Sequence, residues 1–91
     1  MKKCLRASFS GTVQGVGFRF TAERLARHFE VTGYVKNLPS GKVELVAEGE
    51  EKALSDFLKA IREGPMNPYI RDVKIQWSEA TGNFKEFGIG Y

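Results

Sequence analysis

The sequence is poor in the residues that build covalent or metal-held scaffolds. It carries one cysteine, Cys4, and one histidine, His28. A single cysteine cannot close an internal disulfide, which points to a reducing compartment, the cytoplasm. Nothing near Cys4 in sequence activates it, so it reads as a small buried residue rather than a nucleophile. His28 has no Cys or His partner at ligand spacing, which argues against a zinc site, and its helical position makes it a surface residue. Ser8 and Ser10 lack a histidine–acid partnership of the hydrolase kind. No apolar run approaches the ~20 residues of a membrane span. Lys2 and Lys3 are followed by Arg6, Ser8 and Ser10 rather than an unbroken apolar core, so no signal peptide is expected. A large excess of one charge is missing too: the net charge of +3 is compatible with small anionic substrates and too weak and evenly spread to demand nucleic acid. No metal, cofactor, nucleic acid or membrane partner is therefore expected. There is no internal repeat, linker or low-complexity segment.

What is present suits one small folded unit, residues 1–91, with enough chain for one core and not for two. Hydrophobic residues make up 42% and charged residues 27% of the chain, an ordinary globular balance. A monomer is the expectation for a domain this small. Leu5, Ala7 and Phe9 alternate with Arg6, Ser8 and Ser10, which predicts a half-buried strand over Leu5–Ser10. Phe18, Ala22, Leu25, Ala26 and Phe29 fall on one stripe at about 100° per residue, which predicts an amphipathic helix over Phe18–Glu30. Phe20 lies opposite that stripe, either exposed or on the rim of a pocket. Gly33–Leu38 and Lys42–Glu48 read as a hairpin turned at Pro39-Ser40-Gly41. Gly49 reads as a break, and Glu48, Glu50 and Glu51 as a solvated helix start. Ala53, Leu54, Phe57, Leu58 and Ile61 form one face of a second helix, stopped at Gly64-Pro65. Met66–Tyr69 reads as a loop, Val73–Trp77 as a strand with Trp77 in sheet packing, and Phe87–Tyr91 as a last strand. This β-α-β-β-α-β order, with a short extra C-terminal strand, predicts an α+β, two-layer, ferredoxin-like sandwich with a mostly antiparallel sheet.

The stretch most able to carry chemistry is Gly11-Thr12-Val13-Gln14-Gly15-Val16-Gly17-Phe18-Arg19. A strand, a glycine-rich loop and a helix start can turn backbone N–H groups toward one point, where the helix end adds partial positive charge. Arg19 adds a forked, permanently charged donor. The Walker pattern fails because Phe18 and Arg19 follow Gly17. The dinucleotide fingerprint fails because Phe20 is bulky where a small residue is needed. From composition, a phosphate-sized pocket over residues Gln14, Gly15, Val16, Gly17, Phe18 and Arg19 and a plain tight turn stand level. The loop before Arg19 favours an anion clamp over a solvated arginine. Asn37 is unfavourable inside a strand, and from the residues alone it reads best as turn chemistry before Pro39.

The run Gly11-x-Val13-Gln14-Gly15-Val16-x-Phe18-Arg19 resembles a signature of the acylphosphatases. A second block, Gly33-Tyr34-Val35-Lys36-Asn37-Leu38-Pro39-x-Gly41-x-Val43-Glu44, resembles that family's other signature at fitting spacing. The resemblance covers essentially the whole chain. It implies a ferredoxin-like fold and hydrolysis of acyl phosphates to a carboxylate and phosphate, without metal or cofactor. It further implies that Arg19 and loop N–H groups hold the phosphate and that Asn37 orients the attacking water. The substrate's own phosphate oxygen would accept the water's proton. Two positions depart from the pattern. Thr12 stands where arginine is frequent, removing one positive charge, and Gly90 replaces a common arginine, which predicts a looser last strand. Two other readings of the fold stay open. An RNA-binding module would place aromatics on the open faces of its first and third strands, but Phe9 shares a face with Leu5 and Ala7, and Lys42–Glu48 has no aromatic. A non-catalytic small-anion binder would need Arg19 but not Asn37.

Overall fold

Alternating apolar residues in β1 (Lys2–Gly11) and β3 (Val43–Glu50) meet across an antiparallel ladder, with Leu5 opposite Ala47, Ala7 opposite Leu45 and Phe9 opposite Val43. All six are fully buried. They form the floor of the core, and the computed structural model, which describes residues 1–90, builds the rest around them. The sheet has five strands in the order β4-β1-β3-β2-β5, with β2 at Thr32–Asn37, β4 at Ile70–Glu79 and β5 at Phe87–Ile89. All pairings are antiparallel except β2 with β5. Helices α1 (Phe18–Ala26) and α2 (Glu51–Glu63) cover the Leu5–Ala7–Phe9 face. Helix α1 buries Phe18, Ala22 and Ala26; α2 buries Leu54, Phe57, Leu58 and Ile61. Each large side chain so buried contributes about 1.5–3 kcal/mol. The expected α+β ferredoxin-like sandwich is the observed fold.

Several boundaries differ from the pattern reading, each for a physical reason. Helix α1 ends at Ala26, not Glu30, because the chain tightens. The N–H groups of Arg27, His28 and Phe29 donate to the carbonyls three residues back, at 3.2, 3.0 and 3.1 Å. That turn still lands Phe29 on Phe57, with ring centroids 5.8 Å apart, so the apolar periodicity outlives the α-helix. Gly49 does not break β3. It stays in the strand opposite Lys3, where the Glu30 carbonyl approaches so closely that a Cβ would lie 2.7 Å from its oxygen. Glu48 is not part of a solvated helix start; it is a buried member of β3. The strands β1 and β4 are longer than expected, and a bulge interrupts their register between Ser10 and Gly11. Met66–Tyr69 contains a short 3-10 turn at Asn67–Tyr69. Tyr91, the end of the expected last strand, lies outside the described residues.

Because β4 and β5 occupy opposite edges of the sheet, residues 80–86 cross its other face. Glu48 holds that crossing. Its carboxylate accepts from the Thr81 N–H and hydroxyl at 2.9 and 2.8 Å and from the Gly82 N–H at 2.9 Å. Phe84 then packs on Tyr34 at 5.9 Å between ring centroids. Trp77 faces the helix side opposite Leu5, but neither helix extends fully over edge strand β4, so Trp77 and Ile75 stay partly exposed. The expected sheet packing of Trp77 is therefore one-sided.

Candidate active site

Strand direction gathers the site. Strands β1 and β2 both run antiparallel to the β3 between them, and β5 runs parallel to β2. The C-terminal ends of β1, β2 and β5 therefore lie at one end of the sheet. The glycine loop, Asn37 and Gly90 follow from those three ends.

The loop after β1 is pinned at three buried points. Val13 is fully buried, Val16 packs against the core, and Phe18 tucks under the helix start against Phe9 at 4.9 Å between ring centroids. Between the anchors, Gly15 and Gly17 take φ of +78° and +80°, a region that disfavours other residues. Gly17 is the N-cap of α1, and no side chain caps the helix. The opening N–H groups of α1 are therefore left without a capping side chain, as an anion site requires. Phe18 belongs to this site through its backbone only, since its ring belongs to the core.

Gln14 has a role that its place in a phosphate loop did not signal. Its side-chain amide donates to the Leu38 carbonyl at 2.8 Å and the Lys42 carbonyl at 2.9 Å. It therefore staples the glycine loop to the β2–β3 turn, the turn that immediately follows Asn37. The only sequence signal for this was an amide side chain in the loop, which could equally have faced a ligand.

Asn37 is the last residue of β2, half-buried and opposite Val43, so its side chain points to the helix side of the sheet. No protein group among the described residues hydrogen-bonds its amide. Arg19 is half-buried in the first turn of α1 and donates through Nη1 to the Gly90 carbonyl at 3.4 Å. The Gly90 N–H in turn donates to the Val35 carbonyl at 2.8 Å. Beyond the three residues of β5, Gly90 thus has a partner at both its N–H and its C=O. Thr12 is exposed.

Arg19 and Asn37 line one pocket of about 180 Å³, together with Val13, Gly15, Gly17, Phe18 and Phe20. Phe20 is 63% exposed and stands on the rim. Larger surface grooves exist, such as one of about 640 Å³ beside His28 and Thr32. They are less informative, because a small-anion site is defined by donors converging on one point rather than by volume. His28 is exposed, and burial pushes the Cys4 thiol above its ordinary range, so Cys4 is no thiolate nucleophile. No group of three or more His, Cys, Asp or Glu side chains that could hold a metal occurs among the described residues. No helix among them is long and apolar enough to cross a membrane.

The open face of the sheet presents Cys4, Arg6 and Ser8 from β1 and Glu44, Val46 and Glu48 from β3, with no aromatic from either strand on that face. Glu44 pairs with Arg6 at 3.0 Å and accepts from the Tyr34 hydroxyl at 3.0 Å, which neutralises the middle of that face.

A ferredoxin-like sandwich with a glycine loop, a helix start, an arginine and an asparagine converging on a phosphate-sized pocket defines a small phosphate-handling enzyme. The comparisons carry this further. The acylphosphatase family model matches residues 5–89. An acylphosphatase of Archaeoglobus fulgidus is 45% identical over 82 residues, covering 90% of this chain and 91% of that protein. One of Deinococcus radiodurans is 47% identical over 85 residues, covering 93% and 97%. The crystal structure of an acylphosphatase from Bacillus subtilis superposes with a TM-score of 0.90 at 35% identity over the whole of both chains. The chain belongs to the acylphosphatase family. Its activity is hydrolysis of acyl phosphates, and its substrates are small molecules.

Proposed function

We propose that the chain hydrolyses acyl phosphates without a metal, with Arg19 and the loop N–H groups as the phosphate clamp and Asn37 as the water-orienting group. The observation that carries this is the shared pocket: Arg19 from α1 and Asn37 from β2 line the same small cavity. The chemistry asks for little more. The leaving carboxylate is a weak base and needs no acid to protonate it. Phosphoryl transfer is mostly positioning and charge stabilisation. Arg19 and the N–H groups of residues 14–18 hold the terminal phosphate and strengthen their hold as charge redistributes in the transition state. The amide of Asn37, with no protein partner among the described residues, holds the water in line. A phosphate oxygen of the substrate takes the water's proton as the P–O bond to the carboxylate breaks. Gln14 keeps the two halves of the site in register. The protein works in this reading as a monomer of one domain in the cytoplasm.

The test is hydrolysis of benzoyl phosphate in excess EDTA, beside Arg19→Ala and Asn37→Ala, with a phosphate monoester as the comparison substrate. Turnover that survives EDTA and falls by about 10²–10³ in each variant supports the reading. Loss of turnover with EDTA, or full activity in either variant, overturns it.

A further inference from the structure

We propose that Phe20 is the platform for the acyl group and makes this chain selective for acyl phosphates with a flat or bulky apolar acyl part. The inference rests on the hydrolase reading above and adds what that reading leaves open, the kind of acyl group accepted.

The pocket is small, about 180 Å³. With the phosphoryl group against Arg19 and the loop N–H groups and the attacking water at Asn37, the acyl group extends toward the mouth, where Phe20 stands. Of the described side chains lining the pocket, those of Val13 and Phe18 are buried and part of the core, and Gly15 and Gly17 carry none. Arg19 and Asn37 serve the phosphate and the water. Phe20 alone is apolar, large and outward-facing, with 63% of its surface in water.

Phe20 sits opposite the buried stripe of α1 and makes no ring contact with another aromatic among the described residues. Tyr69, Ile75 and Trp77, the other large side chains exposed within the fold, lie away from this pocket. An aromatic face beside a pocket mouth gains its stabilisation when a ligand covers it, through area burial and ring stacking. Arg19 is the only charged side chain among the described residues lining the pocket, and on the hydrolase reading it is committed to the phosphate. An acyl group bearing its own negative charge would find no second cation in that lining, whereas an aroyl or branched apolar group would lie on the ring.

The experiment compares kcat/KM for benzoyl phosphate and acetyl phosphate in the wild type, Phe20→Ala and Phe20→Leu. Inhibition by benzoylphosphonate and acetylphosphonate, which cannot be hydrolysed, is measured alongside. The wild type should favour benzoyl phosphate. Phe20→Ala should lower the benzoyl-to-acetyl ratio of kcat/KM about tenfold, mainly through KM, and weaken benzoylphosphonate inhibition in parallel. Phe20→Leu, which keeps apolar bulk, should recover part of the ratio. An unchanged ratio in Phe20→Ala, with the wild type hydrolysing both substrates, overturns the platform and leaves the hydrolase reading standing. An equal fall for both substrates does the same, since it makes Phe20 a loop-positioning residue. A folded wild type that hydrolyses neither substrate overturns both.

Discussion

At the scale of single residues, the site is a set of donors with few alternatives to the partners they have. Arg19 presents a planar fork held against the Gly90 carbonyl. A lysine keeps the charge but not the fork, so Arg19→Lys should recover only a small part of the activity lost in Arg19→Ala, measured as kcat at saturating substrate. Gln14 acts through position. Removing its two hydrogen bonds to Leu38 and Lys42 should destabilise the fold by about 1–2 kcal/mol and lower kcat/KM several-fold, read by urea unfolding and steady-state kinetics. A Gln14→Ala protein with full stability and full activity would remove the staple. The place of Arg19 beside the glycine loop was legible in the sequence, because a charged fork after such a loop has a chemical meaning by itself. Asn37 was not, since an asparagine near a proline turn reads as turn chemistry until the fold brings it to the arginine. The staple made by Gln14 was invisible for the same reason: it spans two loops that only the sheet order brings together.

At the scale of elements, the helices and central strands followed from periodicity, and the misreadings fell where tertiary contacts overrode it. Phe29 keeps the helical stripe going while the backbone has already tightened. Glu48 was read as solvated because it precedes Glu50 and Glu51; in the fold it is the anchor for the chain that crosses the sheet. Burial alone would raise its pKa, but the hydrogen bonds from Thr81 and Gly82 outweigh burial and leave the carboxyl below its ordinary value. The sign follows directly. A depressed acid contributes its stability fully above the unfolded glutamate value of about 4.3, and the contribution is lost as pH falls through the lower folded value. Glu48→Gln, which turns an N–H group toward donors, should cost about 2 kcal/mol at neutral pH. The difference from wild type should shrink as the pH falls below about 4, and a difference that stays constant would show that Glu48 does not hold the crossing as a carboxylate. In the core, Phe57 contacts Phe29 and, edge-on at 5.4 Å, Phe87 of β5. Phe57→Ala should cost about 3–5 kcal/mol by denaturant melt, because it undercuts a helix and an edge strand together.

At the scale of the whole molecule, the sheet order β4-β1-β3-β2-β5 decides where everything meets. The alternation of each strand was readable in the sequence, but the order was not, since several orders satisfy the same apolar faces. That order joins β1, at the start of the chain, to β4, near its end: Lys3 lies opposite Glu79 and Leu5 opposite Trp77. The consequence is kinetic. A chain must close most of its own length before this ladder repays the lost entropy, and such distant pairings slow folding. Refolding should therefore take milliseconds to seconds rather than microseconds, and Trp77, opposite Leu5 in that ladder, is a natural reporter for stopped-flow fluorescence. Enzyme activity should return in the same phase as the Trp77 signal, because the glycine loop follows β1, a strand that gains its second neighbour only when β4 joins it. Microsecond refolding would show that the ladder forms from a preassembled denatured state. On this view a protein emerging from synthesis is catalytically silent until β4 and β5 are available to complete the sheet, however early its glycine loop was made.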